Sequence, residues 1–172
     1  MVLSVSKNEI GKHAYQFEQL KSETTNLVMI ICNHCPYVLF RMKAISKLVD
    51  DYKDIINIVA ISSNDPGPHP EDHPDAMPAF KTLHRLHCDY IYDADQSIAK
   101  GYNAVCTPEF YVINKNNTIT YHGELDPSHT SNNLMPSGSS LRHALDLTLI
   151  DKPILWEPNS SFGCSIKWRK EE

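Results

Sequence analysis

Apolar residues follow two kinds of pattern along the first third of the chain. Continuous runs rich in β-branched residues, at 27–31 and 55–61, predict strands that are buried on both faces. Between them, over residues 37–52, apolar side chains recur at helical spacing and predict an amphipathic helix. A buried strand, a helix and a second buried strand in this order predict the start of a parallel sheet.

The same alternation continues with shorter elements and ends in a hairpin and a helix. In chain order, the pattern predicts a helix over 75–87 capped by Asp75, a strand over 89–92, a helix over 95–102, hairpin strands over 110–113 and 118–122, and a helix over 139–150. We expect residues 1–26 to form an N-terminal extension and residues 151–172 a packed tail. We therefore predict a single α/β domain over residues 1–172, with a central mixed β-sheet flanked by helices on both faces.

Composition narrows the classes of partner. The chain has 172 residues, is 41% hydrophobic and carries a formal net charge of -5. It contains no basic stripe, so we do not expect nucleic acid as a partner. Its apolar runs are far shorter than the roughly 20 residues that a membrane span requires, so we expect no membrane partner. The first residues lack the charged and apolar regions of a secretory signal, and we expect a cytoplasmic location.

Two cysteines lie at the junction between the first buried strand and the helix that follows it. Cys32 and Cys35 are three positions apart, so they can close a disulfide within one turn. The unpaired N–H groups of a helix N-terminus favour a thiolate, and the imidazole of His34 can donate a hydrogen bond to it. We therefore predict a lowered pKa for Cys32 and a less reducing couple, because a stabilised thiolate favours the reduced form. Pro36 follows at once and is well tolerated in a first helical turn.

The chain has 5 cysteines, an odd and low number for a disulfide scaffold of this length. Two other interpretations of the close pair stay open: buried structural thiols, and a zinc site completed by His84, His87 or Cys88. Because His-x-x-His-Cys is not a usual second half of a zinc site, we expect no metal and no other cofactor.

Several short stretches together resemble one family of proteins. They are residues 32–38, 61–65, 70–72, 106–110 and 163–168. Through them, the chain from about residue 27 to 170 resembles the thioredoxin-like fold. Within that fold it resembles the redoxins related to alkyl hydroperoxide reductase and thiol-specific antioxidant, often described as peroxiredoxin-like. The Cys-x-x-Cys pair, combined with Thr107-Pro108 at the start of a later strand, carries most of the resemblance.

The resemblance implies roles for these residues. Cys32 would attack a substrate disulfide and Cys35 would resolve the mixed disulfide, so the chain would be a thiol–disulfide oxidoreductase. Thr107 and Pro108 would be joined by a cis peptide bond beside the pair, and their backbone would bind the thiol substrate. The partners would be protein or small-molecule thiols and disulfides, with an external reductant that recycles the pair.

A specialised thiol peroxidase of this family carries its reactive cysteine in Pro-x-x-x-Thr-x-x-Cys. Counting back from Cys32 gives Met29 and Thr25, and counting back from Cys35 gives Cys32 and Val28. Neither thiol fits that motif, so specialised peroxidase action is not expected. Weak thiol peroxidase activity, and a redox-sensing binding module without turnover, stay open as alternatives.

Cys106 and Cys164 are candidates for auxiliary redox thiols. If the resemblance holds, Cys106 lies next to the cis-proline and near the pair, although we favour a small apolar filler at a strand start. Cys164, in the tail, either folds back towards the pair or simply packs. We expect Cys88 to be buried and inert, and Glu109, directly after the Thr-Pro step, to be a solvated charge.

Overall fold

Strands and helices alternate along the computed structural model, which describes residues 9–170 and the backbone strand at residues 3–5. The strands are β1 (Leu3–Val5), β2 (Asn26–Ile30), β3 (Asn57–Ser62), β4 (Asp89–Tyr92), β5 (Cys106–Thr107), β6 (Glu109–Ile113), β7 (Ile119–Gly123) and β8 (Phe162–Ser165). The α-helices are α1 (Pro36–Tyr52), α2 (Met77–His84), α3 (Ser97–Gly101) and α4 (Ser139–Leu149). Short 3-10 turns at Pro70–Asp72 and Pro74–Ala76 precede α2.

The central sheet has five strands in the order β4-β3-β2-β6-β7. The strands β2, β3 and β4 run parallel, β6 runs antiparallel to β2, and β7 runs antiparallel to β6. Every residue of β2, β3 and β6 is buried, as expected for strands that are covered on both faces. The predicted mixed sheet is therefore confirmed.

Helices cover both faces of this sheet, as predicted. Side chains alternate along β2, so Leu27 and Met29 pack on one face, in the core that also holds α1 and α4. Val28 and Ile30 pack on the opposite face, in the core that holds α3. No helix in the part of the chain that the structure describes combines the length and the apolar character needed to cross a bilayer.

The helix predicted over residues 75–87 is shorter in the structure. Its N-cap is Ala76 and not Asp75, because two 3-10 turns that begin at prolines precede it. Proline fixes φ and lacks an N–H, so it starts a turn but cannot continue one. The helix ends at His84 because Arg85 is left-handed, with φ 51°. The first of the two turns packs against the loop that carries the cysteine pair.

A second, three-stranded sheet in the order β1-β8-β5 was not predicted. Its strand β8 lies in the C-terminal segment and pairs antiparallel with β5, so that Thr107 lies opposite Cys164. The strands β5 and β8 have two and four residues, too few for a hydrophobic period to be recognised in the sequence. This sheet brings the C-terminal segment against the Thr-Pro step.

Gly163 allows β8 to approach β5 closely, and its substitution is expected to destabilise the fold. A Cβ atom at Gly163 would lie 2.0 Å from the carbonyl oxygen of Thr107, which is a backbone atom. We expect Gly163→Ala to lower the free energy of unfolding by about 3 kcal/mol, because the overpacked strand must move away from β5.

Gly67→Ala is the matched control for this substitution. The nearest atom to a Cβ at Gly67 is 3.5 Å away, on the Asp65 side chain, so the change should cost less than about 0.5 kcal/mol. Urea unfolding followed by circular dichroism measures both variants. Equal unfolding free energies for the two variants would contradict the close approach of the strands.

Candidate active site

The cysteine pair lies in the turn that joins β2 to α1. The strand ends at Ile30 and the helix begins at Pro36, with Cys35 in the N-cap position. Both cysteines are free thiols, and their sulfurs are hydrogen-bonded to each other. The structure therefore brings the two predicted sulfurs together. Cys35, which directly precedes Pro36, is the residue at the start of the helix.

The two thiols differ sharply in acidity. The hydrogen bond to Cys35 raises the pKa of Cys32, and burial and the Asp72 carboxylate raise it further. The same hydrogen bond lowers the pKa of Cys35 to about 4, against the opposing effect of burial. The predicted lowering of the Cys32 pKa is therefore wrong. Of the two thiols, Cys35 is therefore the one expected to lose its proton first, and in doing so it gives up the hydrogen bond that its S–H donates to the Thr107 carbonyl oxygen at 3.2 Å.

Two features outside the hydrogen bond of the pair favour this distribution of charge. Cys35 is the N-cap residue of α1, so its thiol lies at the positive end of the helix dipole, and the nearby backbone N–H of Val38 also lowers its pKa. Cys32 instead faces the carboxylate of Asp72, whose charge disfavours a second anion close by. The helix terminus therefore stabilises a thiolate, as predicted, but on the other cysteine.

Thr107 contacts both sulfurs of the pair. Its peptide bond to Pro108 is cis, which confirms the expectation drawn from the resemblance. Its Oγ1 lies 3.4 Å from Cys32 Sγ, and its carbonyl oxygen lies 3.2 Å from Cys35 Sγ. The Thr-Pro step is thus beside the pair, while its role in binding a substrate stays a prediction.

A buried carboxylate that was not predicted, Asp72, holds the loop between the two cysteines. Its Oδ1 accepts hydrogen bonds from the backbone N–H groups of Asn33 and His34, at 2.8 and 3.1 Å. Its Oδ2 lies 2.7 Å from the amide nitrogen of Asn64 and 2.5 Å from His34 Nδ1. Burial opposes ionisation of Asp72, but the hydrogen bonds from His34 and Asn64 outweigh it and lower its pKa.

His34 does not contact Cys32 in the way that its position suggested. Its Nδ1 is 3.8 Å from Cys32 Sγ but only 2.5 Å from Asp72 Oδ2, so the carboxylate is its main partner. Its ring stacks on His69, with the ring centroids 3.7 Å apart. His34 therefore links the cysteine loop to the turn that carries Asp72, and it does not supply the thiolate with a close hydrogen bond.

Cys164 folds back against the pair, which is one of the two outcomes considered for it. The strand β8 places it opposite Thr107, and its thiol is hydrogen-bonded to Cys35. Burial, and next the hydrogen bond to Cys35, raise the pKa of Cys164 to about 12. Cys35 consequently lies beside two other sulfur atoms, those of Cys32 and Cys164.

Cys106 is directed at Glu109. Its Sγ is 3.9 Å from Glu109 Oε2, and burial raises its pKa. Glu109 is fully buried, contrary to the expected solvated charge. Its Oε1 lies 2.6 Å from His122 Nε2, and its Oε2 accepts hydrogen bonds from the backbone N–H groups of Val105 and Cys106. These donors compensate the charge and allow the carboxylate to lie in the interior.

The zinc site considered from the sequence does not form over the described residues. His87 Nδ1 lies 2.7 Å from Asp50, away from the pair. One group of three ligand atoms within 4.8 Å of one another is present in that part of the chain, at Cys32, His34 and Asp72. Its imidazole and carboxylate are 2.5 Å apart, a hydrogen-bond distance. Two such ligands at about 2.0–2.2 Å from a tetrahedral zinc lie farther apart than that.

Neither sulfur of the pair is exposed, and an open cavity is lined by residues that neighbour Cys35 and Cys164 in the chain. Cys32 and Cys35 are 0% accessible. A cavity of about 540 Å³ has Tyr37 and Phe162 in its wall, where their rings meet edge to face at 5.5 Å. Tyr37 follows Cys35 by two residues and Phe162 precedes Cys164 by two residues. We call this opening the Tyr37 cavity.

Known proteins resemble this chain over most of its length. A model of the AhpC/TSA family matches residues 3–122. The structure of an uncharacterized conserved protein from Geobacillus kaustophilus is 34% identical and covers 100% of this chain and 99% of that chain, with a TM-score of 0.94. The structure of a hypothetical protein from Sinorhizobium meliloti 1021 is 30% identical and covers 97% of this chain and 98% of that chain, with a TM-score of 0.91.

More distant structures share the fold. A secreted Mycobacterium tuberculosis disulfide oxidoreductase homologous to Escherichia coli DsbE is 16% identical, covers 73% of this chain and 82% of that chain, and gives a TM-score of 0.57. At that identity the likeness concerns the thioredoxin-like fold alone. Comparison with curated proteins gives no match.

Proposed function

Because the chain belongs to the AhpC/TSA family, we propose that it is a thiol–disulfide oxidoreductase that uses the Cys32/Cys35 pair. Membership of this thioredoxin-like family supports oxidoreductase chemistry in general, by disulfide exchange or by peroxide reduction. The observation that carries the narrower proposal is that two free thiols lie against the same residue, Thr107, and that Cys35 is the more acidic of the two. Such a pair supplies a nucleophile and a resolving thiol within one turn.

Cys35 is the attacking sulfur in this proposal. Its thiolate attacks one sulfur of a substrate disulfide, so that the Cys35–substrate S–S bond forms and the bond within the substrate breaks. The departing substrate sulfur leaves as a thiolate and takes a proton from solvent. These roles are the reverse of those that the resemblance implied, because the charge lies on Cys35 and the proton on Cys32.

Cys32 then resolves the mixed disulfide. Once Cys35 is bonded to the substrate, it no longer carries a charge, and the largest cause of the high Cys32 pKa is removed. Cys32 loses its proton to solvent and attacks the Cys35 sulfur, which forms the Cys32–Cys35 bond and releases the second substrate thiolate. One substrate disulfide thus becomes two thiols while the dithiol of the protein becomes a disulfide. An external thiol reductant returns the pair to its reduced form.

Exchange assays with a small and a large disulfide test this proposal. We expect the reduced protein to convert glutathione disulfide to two glutathione thiols and to acquire an internal Cys32–Cys35 disulfide. With an external thiol reductant present, we expect turnover, and a slower reaction with insulin because the buried pair admits a small disulfide more easily. Cys88→Ser, which changes a thiol directly before β4 that is not among the described contacts of the pair, is the control that should behave like the natural chain.

Two results would overturn this function in different ways. Consumption of a hydroperoxide without any disulfide exchange would identify a peroxidase. Absence of both reactions, with the pair still oxidising and reducing reversibly, would identify a redox-sensing module without turnover.

A further inference from the structure

Cys35 has a second sulfur partner besides Cys32. The pairing of β8 with β5 places Cys164 opposite Thr107, the residue whose carbonyl oxygen lies 3.2 Å from Cys35 Sγ. Gly163 makes this arrangement tight, since its Cα approaches the Thr107 backbone so closely that no Cβ fits between the strands. Cys164 is thereby held beside Cys35, near enough for each thiol to shift the pKa of the other.

We propose that Cys164 is a third redox thiol, which attacks Cys35 in the oxidised pair and moves the disulfide from Cys32–Cys35 to Cys35–Cys164. This inference rests on the proposed function, because it begins from the Cys32–Cys35 disulfide. Cys35 is the only sulfur of the three that contacts both others among the described contacts of the site, so it is the sulfur that changes partner.

The transfer needs no outside oxidant or reductant. Cys164 loses its proton, and its thiolate attacks the Cys35 sulfur. The Cys35–Cys164 bond forms, the Cys32–Cys35 bond breaks, and the electron pair of the broken bond leaves with Cys32, which takes up a proton. The protein contains one disulfide and one thiol of the three before and after this step, so atoms and electrons balance.

Oxidation of the pair also favours the reactive form of Cys164. In the reduced protein, the hydrogen bond to Cys35 and the charge of Cys35 are two of the causes that raise the pKa of Cys164, after burial. Both disappear when Cys35 is in a disulfide and carries no charge. The thiol is therefore least acidic while the pair is reduced and becomes more acidic when a disulfide is there to attack.

The transfer moves the disulfide towards the Tyr37 cavity. Side chains two residues apart on a strand share a face, so Cys164 lies on the same face of β8 as Phe162, which lines that cavity. Tyr37, on the facing wall, contacts Phe162 edge to face. A thiol reductant that enters this cavity meets the face of β8 that carries Cys164, while Cys32, beside His34, is returned to its thiol form.

Disulfide mapping distinguishes the two positions of the bond. Trypsin places Cys32 and Cys35 on the peptide 22–41 and Cys164 on the peptide 143–167. After oxidation with one equivalent of glutathione disulfide, free thiols are blocked with N-ethylmaleimide in acid-quenched, denatured protein before digestion. A bond between Cys32 and Cys35 leaves the two peptides separate, whereas a bond between Cys35 and Cys164 joins them and leaves the maleimide on Cys32.

We expect the joined peptides in part of the oxidised natural protein and as the main product of Cys32→Ser. Cys35→Ser should give no joined peptides, since the substitution removes the sulfur that Cys164 is proposed to attack. Cys106→Ser is the matched control, because Cys106 is also buried near the pair but is directed at Glu109, and it should leave the joined product unchanged. Separate peptides at all times in the natural protein and in Cys32→Ser would overturn the inference.

A double variant separates failure of this inference from failure of the proposed function. Cys32→Ser combined with Cys164→Ser should hold glutathione on Cys35 as a stable mixed disulfide, whereas Cys32→Ser alone should release it through Cys164. Equal retention of glutathione by the single and double variants would overturn the role of Cys164 and leave the proposed function intact. No glutathione on Cys35 in either variant, and no joined peptides, would overturn both.

Discussion

Cys35→Ser is expected to slow the reduction of glutathione disulfide by roughly 10³-fold or more at neutral pH. The substitution removes the sulfur that carries the charge of the reduced pair, whose pKa is about 4. The sulfur that is left, Cys32, is still buried and still faces the carboxylate of Asp72, and both raise its pKa. A thiol with a pKa well above its ordinary value of about 8.5 has very little thiolate at neutral pH.

Cys32→Ser is the matched variant for this prediction. Its hydroxyl can still donate a hydrogen bond to the Cys35 sulfur, so the first attack on the disulfide should persist at a rate close to that of the natural protein. Release of the first glutathione thiol, followed over a single turnover, measures this step in both variants. A slower first step in Cys32→Ser than in Cys35→Ser would show that Cys32 is the attacking sulfur.

Asp72→Ala is expected to lower the free energy of unfolding by about 4 kcal/mol. The substitution leaves four hydrogen-bond donors without their acceptor, two from the backbone of the cysteine loop and two from the side chains of His34 and Asn64. Asp75→Ala, three residues further on, is the matched control because that side chain is 91% exposed, and it should cost less than about 0.5 kcal/mol. Similar unfolding free energies for both variants would contradict the role given to Asp72.

The contribution of Asp72 to stability also depends on pH, with a sign fixed by its lowered pKa. A carboxyl whose pKa is lower in the folded than in the unfolded state stabilises the fold fully above the unfolded value, about 3.9. That stabilisation is lost as the pH falls through the folded pKa. The natural protein should therefore lose stability below about pH 4 more steeply than Asp72→Asn, which has no carboxyl to protonate at this site. Parallel loss in both proteins would contradict a lowered Asp72 pKa.

The sequence predicted well those parts of the fold that depend on long hydrophobic patterns. The apolar runs that became β2 and β3 and the helical period that became α1 are each long enough to distinguish a strand from a helix. The cis bond before Pro108 was reached through the resemblance, since no local pattern distinguishes a cis from a trans proline. The strands β5 and β8 were missed because each is defined by its partner and carries no period of its own.

The distribution of charge in the cysteine pair could not be predicted from the sequence, because it depends on contacts between distant parts of the chain. The sequence correctly indicated that a helix terminus stabilises a thiolate, but it assigned that effect to Cys32, whereas Cys35 is the N-cap residue of the helix. The opposing effect on Cys32 comes from the hydrogen bond to Cys35, from burial and from Asp72, which the 3-10 turn at Pro70–Asp72 brings to the cysteine loop. The tripeptide Pro70-Glu71-Asp72 was noticed as part of a resemblance, yet nothing in its local sequence shows what its carboxylate faces.

The burial of Glu109, directly after the Thr-Pro step, also could not be predicted from the local sequence. Glu109 was expected at the surface because isolated glutamates usually are solvated. Its burial depends on His122, which lies in the neighbouring strand β7, and on backbone donors at Val105 and Cys106. A partner 13 residues away across a hairpin could be anticipated only with the strand register in hand.

A pH titration of thiolate ultraviolet absorbance in the reduced protein tests the central claim most directly. Burial raises the pKa values of Cys88 and Cys164 to about 12, and it also raises that of Cys106, so these three thiols are silent near neutral pH. With a Cys35 pKa of about 4, the natural protein should hold one thiolate per molecule from about pH 5 to about pH 8, and Cys35→Ser should lose it. No thiolate below about pH 8, or one that persists in Cys35→Ser, would contradict the account.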